Sequence, residues 1–161
     1  MNDLSSVGLA AGAPWLAAAR LGLARALGAG RLPHALMLQG LPGLAKAALA
    51  EWLARLALCD QPGRAPCGTC TSCRLHTAGT HPDLVRVGLA EDRKQIAVDD
   101  VRELTARLAL KSFRGGRKVA IVDPADALNA NSANALLKTL EEPPPGTLLI
   151  LTVAGDRAVP P

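Results

Sequence analysis

The stretch Leu36-Met37-Leu38-Gln39-Gly40-Leu41-Pro42-Gly43-Leu44-Ala45-Lys46-Ala47 decides how the chain is read. An apolar run of strand length stops at a Gly/Pro turn and gives way to good helix formers from Ala45 to Leu58. That is the strand-turn-helix layout of a phosphate loop, in which backbone N–H groups and the positive end of the helix dipole receive phosphates. The motif requires Gly, four residues, Gly, Lys, then Ser or Thr. Counted from Gly40, the lysine is in place as Lys46, but the second glycine has become Ala45 and the hydroxyl residue Ala47. A methyl at 45 makes positive φ unfavourable by about 1 kcal/mol. Ala47 removes the oxygen that would hold Mg²⁺ beside the phosphates. Gly40, Gly43 and Lys46 therefore read as the remains of a nucleotide site kept as scaffold, against the plainer alternative of an ordinary strand-turn-helix with a chance lysine.

At 161 residues, 49% hydrophobic and 20% charged, the chain suits one α/β domain. A net charge of +4 permits contact with nucleic acid, although the basic residues are scattered along the sequence. Two Trp, one Phe and no Tyr leave little for bases to stack on, which argues against a single-strand binder built on aromatic platforms. Met1-Asn2-Asp3 lacks the basic start of a secretion signal, and Arg20 and Arg25 interrupt the apolar stretch from Trp15 to Ala29. No uncharged apolar window reaches the roughly 18 residues of a membrane span. The expectation is a cytoplasmic protein with no membrane contact, whose cysteines are reduced unless something occupies them.

Those cysteines follow the helix after the loop. Cys59, Cys67, Cys70 and Cys73 are spaced C-x7-C-x2-C-x2-C, too tight for a disulfide framework and suited to one tetrahedral ion. Soft thiolates in a closed shell favour structural zinc, with Gly68 relieving the backbone inside the first Cys-x-x-Cys turn. An unmetallated thiol cluster and an iron–sulfur centre stay open as weaker alternatives. The insert spans residues 59–75. His76 and His81 follow closely, but four sulfurs already fill the shell.

Further elements follow from periodicity and punctuation. Pro14 to Gly28 reads as a helix with Leu16, Ala19, Leu23, Ala26 and Leu27 on its apolar side. His34, beside the first strand, reads as structural. Pro82 leads into a strand from Leu84 to Val87. Asp99 is expected to cap a helix whose buried stripe is Val98, Val101, Leu104 and Leu108, with Lys111 at its far end. Val119 to Asp123 is a continuous apolar run ending in an acid, as in a buried parallel strand. Asp123 stands where a phosphate-loop ATPase would steady its metal, but Pro124 stands where a glutamate would polarise water, and proline accepts no proton. Asp126 reads as a turn or capping residue. Asn129 to Glu142 is the last helix, with Ala133, Leu136, Leu137 and Leu140 on its core side and Asn134, Lys138 and Glu141 on another. Thr147 to Val153 is a fourth strand, after which the chain runs to Pro160-Pro161.

That order of elements, with Leu32-Pro33-His34-Ala35, the cysteine insert, Ala78-Gly79-Thr80-His81-Pro82-Asp83 and Asn134-Ala135-Leu136-Leu137-Lys138-Thr139-Leu140-Glu141-Glu142-Pro143-Pro144, closely resembles the bacterial DNA polymerase III clamp-loader subunits. The gamma/tau branch is similar in layout but carries an intact phosphate loop and an Asp-Glu pair. The departures at Ala45, Ala47 and Pro124 make the chain resemble the delta-prime branch, which does not hydrolyse ATP. The resemblance implies a three-layer P-loop NTPase (AAA+) domain with a mostly parallel sheet and an inserted zinc module. It further implies a subunit of a ring that loads the sliding clamp on primed DNA, docked against delta and gamma/tau. The arginine that the branch offers to a neighbour's ATP belongs to a Ser-Arg-Cys motif absent from the 161 residues, so the expectation is an N-terminal portion of a longer chain. Within the resemblance, Asn134, Lys138 and Glu141 become candidates for a neighbour-facing surface. The alternatives are an active gamma/tau-type ATPase, with Lys46 and Asp123 holding Mg-ATP, and a free-standing zinc-ribbon nucleic-acid binder.

Overall fold

The computed structural model describes residues 14–61, 63 and 66–154. The readings on Met1-Asn2-Asp3, on Pro62, Arg64 and Ala65 within the insert, and on Pro160-Pro161 lie outside the described residues. A 3-10 turn, Pro14–Leu16, leads into α1 (Ala17–Gly28), β1 (Ala35–Gly40) and α2 (Lys46–Leu58). Then come α3 (Thr71–Ala78), β2 (Leu84–Gly88), α4 (Val98–Ala109) and β3 (Lys118–Asp123). A second 3-10 turn, Ala125–Ala127, precedes α5 (Ala130–Glu141) and β4 (Thr147–Ala154).

The strands form one sheet in the order β1-β4-β3-β2, every neighbouring pair parallel. Alternation along each strand sends Leu84, Val119, Ile121, Leu148 and Ile150 to one face, where Leu53, Leu56 and other α2 side chains cover them. Val85, Val87, Ala120, Val122, Leu149 and Leu151 turn to the opposite face, under Val101, Leu104 and Leu108 of α4 and Leu136 of α5. With helices on both faces, β3 and β4 have no solvated side, which is why they read as unbroken apolar runs. The three-layer α/β architecture expected from the sequence is thus present.

Several local expectations need correction. The last turn of the cysteine insert continues into α3, which was not anticipated; its first turn is capped by the sulfur of Cys70, accepting from Cys73 N. Asp99 does not cap α4. Ala97 holds that position and Asp99 lies in the first turn, where it favours the helix through the dipole instead. Lys111 lies past the helix, which ends at Ala109. Ala19 on α1 is exposed, while Leu16 of the preceding turn is buried beside Ala48 and Leu49, and Leu23 and Leu27 are half-buried against the α2-side core. On α5 Leu137 is not core: it is 46% exposed, since Leu136, Ala135 and Leu140 take the inward side. The α5 start is firm, with the Asn129 carboxamide and the Ser132 hydroxyl each bonding the other's backbone N–H.

Candidate functional site: a cysteine cluster and a closed phosphate loop

The end of α2, the turn after it and the start of α3 bring Cys59, Cys67, Cys70 and Cys73 together, their sulfurs all within 4.8 Å of one another. Cys59 Sγ stands 3.9 Å from Cys70 Sγ, and Cys67 Sγ 4.0 Å from Cys73 Sγ. Sulfurs at about 2.3 Å from one tetrahedral ion would be about 3.8 Å apart, so these two pairs already stand near the spacing that a metal ion requires. Backbone N–H groups already point at the sulfurs. Cys67 Sγ accepts from Thr69 N at 3.4 Å and Cys70 N at 3.2 Å, and Cys70 Sγ accepts from Cys73 N at 3.3 Å. Gly68, at φ +77°, makes this turn possible, and a Cβ there would stand 3.2 Å from the Arg55 guanidinium.

The thiols differ in their readiness to ionise. The N–H of Thr69, then that of Cys70, pulls Cys67 down to about 6. Burial pushes Cys73 up to about 12, against which Arg55 and backbone donors act. Burial likewise raises Cys59. Ionising every thiol in so small a volume calls for positive charge at the centre, which a divalent cation would supply.

A chain of hydrogen bonds through Asp60, Ser72, His81 and Asp83 ties the cluster to the rest of the domain. Asp60 accepts from Ser72 N at 3.2 Å and from Arg114 at 3.0 Å. The buried hydroxyl of Ser72 donates to Leu58 O and meets His81 Nε2 at 2.7 Å. His81 Nδ1 accepts from Asp83 N at 3.1 Å, which places the ring proton on Nε2, donating to Ser72. Burial lowers His81 and keeps it in this neutral form. Burial pushes the Asp83 carboxyl up, but bonds from Phe113 N, Arg114 N and Ser112 Oγ outweigh it and hold it below its ordinary range. His76 lies outside the four-sulfur cluster, and its Nε2 meets Glu51 at 2.9 Å. Arg86 also forks onto Glu51, at 2.6 and 2.9 Å. Burial opposes the Glu51 charge, but Arg86 and then His76 bring the carboxyl down to about 2.

The second candidate site lies at the carboxyl ends of β1, β3 and β4, where open parallel sheets bind ligands. A groove of about 390 Å³ is lined by the loop residues 42–47 together with Asp123, Pro124, Asp126 and Thr152. Ala45 takes the left-handed conformation, φ 59° and ψ 36°, the only non-glycine residue with positive φ among those described. The backbone keeps the shape that the motif's glycine would serve. Lys46 reaches back and its Nζ donates to Gly40 O and, at 3.3 Å, to Leu41 O. Asp123 accepts the Thr152 hydroxyl, and Asp126 accepts Ala154 N at 2.8 Å. The Lys46 and Asp123 side chains, which would meet a metal-bound triphosphate, are thus each turned to another protein atom.

Of the remaining expected residues, Asn134, Lys138 and Glu141 are exposed together on α5, and His34 Nε2 contacts Leu140 O at 2.9 Å, a structural tie as expected. Among the described residues no helix is long and apolar enough to cross a membrane.

Residues 17–161 match the protein family described as DNA polymerase III, delta subunit. The chain is 48% identical over 119 residues to the DNA polymerase III subunit delta' of Pseudomonas aeruginosa, covering 73% of this chain and 36% of that one. It is 45% identical over 139 residues to the subunit delta' of Escherichia coli, covering 86% and 42%. Against the tau subunit of Salmonella typhimurium identity falls to 36%, covering 86% of this chain and 21% of that one. A solved gamma subunit-related protein from Thermotoga maritima superposes with a TM-score of 0.55 at 20% identity, over 74% of this chain and 34% of that one, a likeness of fold. The chain spans about two fifths of the length of the delta' relatives, as the shares of 36% and 42% show. With the family matched from residue 17 to residue 161, the chain belongs to the DNA polymerase III delta-subunit family.

Proposed function

We propose that this chain is part of a non-catalytic, delta-prime-type subunit of the DNA polymerase III clamp loader, which helps place the sliding clamp on primed DNA in the cytoplasm. The observation that carries the reading is the state of the phosphate loop. Lys46 is bonded to the loop's own carbonyls, Ala47 offers no oxygen to Mg²⁺, and Pro124 offers no base. The domain then acts as a rigid part whose position responds to neighbouring subunits. Residues 1–161 form one AAA+ domain in this reading, and residues 59–75 its inserted module.

In the same reading the cysteine cluster holds one Zn²⁺ as a closed structural site. Cys59, Cys67, Cys70 and Cys73 supply the shell, and the ion cross-links the α2–α3 turn. The partners are delta and gamma/tau, with the exposed row of Asn134, Lys138 and Glu141 facing a neighbour. Leu137, exposed beside that row, gives it the apolar contact that a purely solvated face would lack. The relatives named tau support the competing reading of an active ATPase, against which positions 45, 47 and 124 weigh.

The test is reconstitution of the full-length chain with delta and gamma/tau, followed by clamp loading on primed DNA with ATP. Assembly and loading unaffected by Lys46→Ala, and weakened by Lys138→Glu, support the proposal. Loading abolished by Lys46→Ala contradicts it.

A further inference from the structure

The end of α4 and the loop after it carry side chains, Arg107, Leu110, Lys111 and Phe113, that neither site above uses. From Leu104 to Val122 the sequence carries five basic residues, Arg107, Lys111, Arg114, Arg117 and Lys118, and no Asp or Glu. The same segment displays Leu110 and Phe113, 66% and 84% exposed, the two most exposed large apolar side chains among the described residues. Slack in the loop does not account for this. The Asp83 carboxylate accepts from Ser112 Oγ at 3.0 Å, Phe113 N at 2.6 Å and Arg114 N at 3.0 Å, so the backbone that carries Phe113 is pinned.

Between these side chains opens a cavity of about 80 Å³, lined by Val85, Leu108, Leu110 and Phe113 with Arg107 and Lys111, and by Asp83, whose carboxylate is already taken up by its bonds to Ser112, Phe113 N and Arg114 N. Lys118 donates to the carbonyls of Leu108 and Leu110, and Arg114 pairs with Asp60. Arg107, Lys111 and Arg117 meet no acidic partner among the described residues. A pinned aromatic, a small apolar cavity and two cations without an acidic partner, Arg107 and Lys111, thus occupy one surface.

We propose that this surface is a docking site for an acidic peptide segment of another protein, seated by a single aliphatic anchor residue. The cations call for carboxylates, whose complementary field sets register and speeds encounter. The cavity sets the anchor. A void of about 150 Å³ is what takes a benzene ring, so the smaller space here suits the end of a Val, Leu or Ile side chain better than a nucleobase. A lone aromatic also lacks the successive platforms on which single strands stack.

The experiment is fluorescence anisotropy with labelled short synthetic peptides in which Leu sits among Asp and Glu. The arms are the wild-type chain and its Lys111→Glu and Phe113→Ser variants, both at exposed side chains, with circular dichroism checking the fold. The expected result is saturable binding that weakens as salt rises and drops about tenfold for Lys111→Glu. Phe113→Ser, or Gly in place of the peptide's Leu, should each weaken it about fivefold. No saturable binding, binding indifferent to these changes, or tighter Lys111-dependent binding of an oligothymidylate would overturn the proposal.

Discussion

The Lys46 ammonium donates to the carbonyl oxygen of Gly40, across the turn that in a working phosphate loop would open toward phosphate. The loop so holds its own lysine, in a backbone shape that Ala45 maintains with a left-handed φ of 59°. A side chain in that region is disfavoured, and a single residue bears the strain.

Replacing Ala45 with Gly should therefore raise stability by up to about 1 kcal/mol, because relief of the left-handed strain exceeds the added freedom of the unfolded chain. In a chain of this size that is about 2–4 °C in Tm by differential scanning calorimetry. Nucleotide binding should not return, because Ala47 and Pro124 are untouched.

The cysteine cluster makes a separate prediction. Protein purified without added metal should hold about one zinc ion per chain, and a chelator at neutral pH should release it. Cys70→Ser should then open the segment 59–73 to protease well before the sheet. Mass spectrometry of limited digests checks this, and first cleavage within β3 or β4 would argue the reverse.

Glu51 joins α2 to α3 through His76 and to β2 through Arg86. Glu51→Gln leaves a half-covered arginine with a poorer acceptor and should destabilise by about 2 kcal/mol in urea unfolding. Since its carboxyl is lowered to about 2 in the fold from 4.5, the stabilisation is full above about pH 5 and is lost as pH falls through that range. The variant should show a flatter acid limb than the wild type.

His81 acts at milder acidity. Burial lowers it below its ordinary 6.5, so the unfolded chain takes up a proton before the folded one does. Its contribution is complete above 6.5 and declines as pH drops below that value. His81→Gln should remove this part of the pH dependence, read as the change in urea midpoint between pH 7.5 and pH 5.5, while an unchanged slope would refute it.

Much of the architecture was legible because it depends on local pattern. Unbroken apolar runs with helices between them force a parallel sheet covered on both faces, and the spacing from Cys59 to Cys73 fixes the cluster. What escaped depends on distance in sequence. Asp60 and Arg114 meet across 54 positions and Asp83 and Phe113 across 30, and no periodicity encodes such pairs. Glu51 did leave a signal, as the only charge between Lys46 and Arg55 on an otherwise apolar helix. α3, with eight residues and a sulfur cap, was too short and too polar to show a stripe. Leu137 was assigned to the core because apolar spacing on a helix counts candidates without saying how wide the buried stripe is.

The most direct measurement is titration of this chain alone with Mg-ATP in a calorimeter, paired with a radiolabelled hydrolysis assay on the same sample. We expect no saturable heat and no phosphate release above buffer, unchanged by Lys46→Ala. Stoichiometric binding with turnover that Lys46→Ala abolishes would contradict the claim that this loop has ceased to be a nucleotide site.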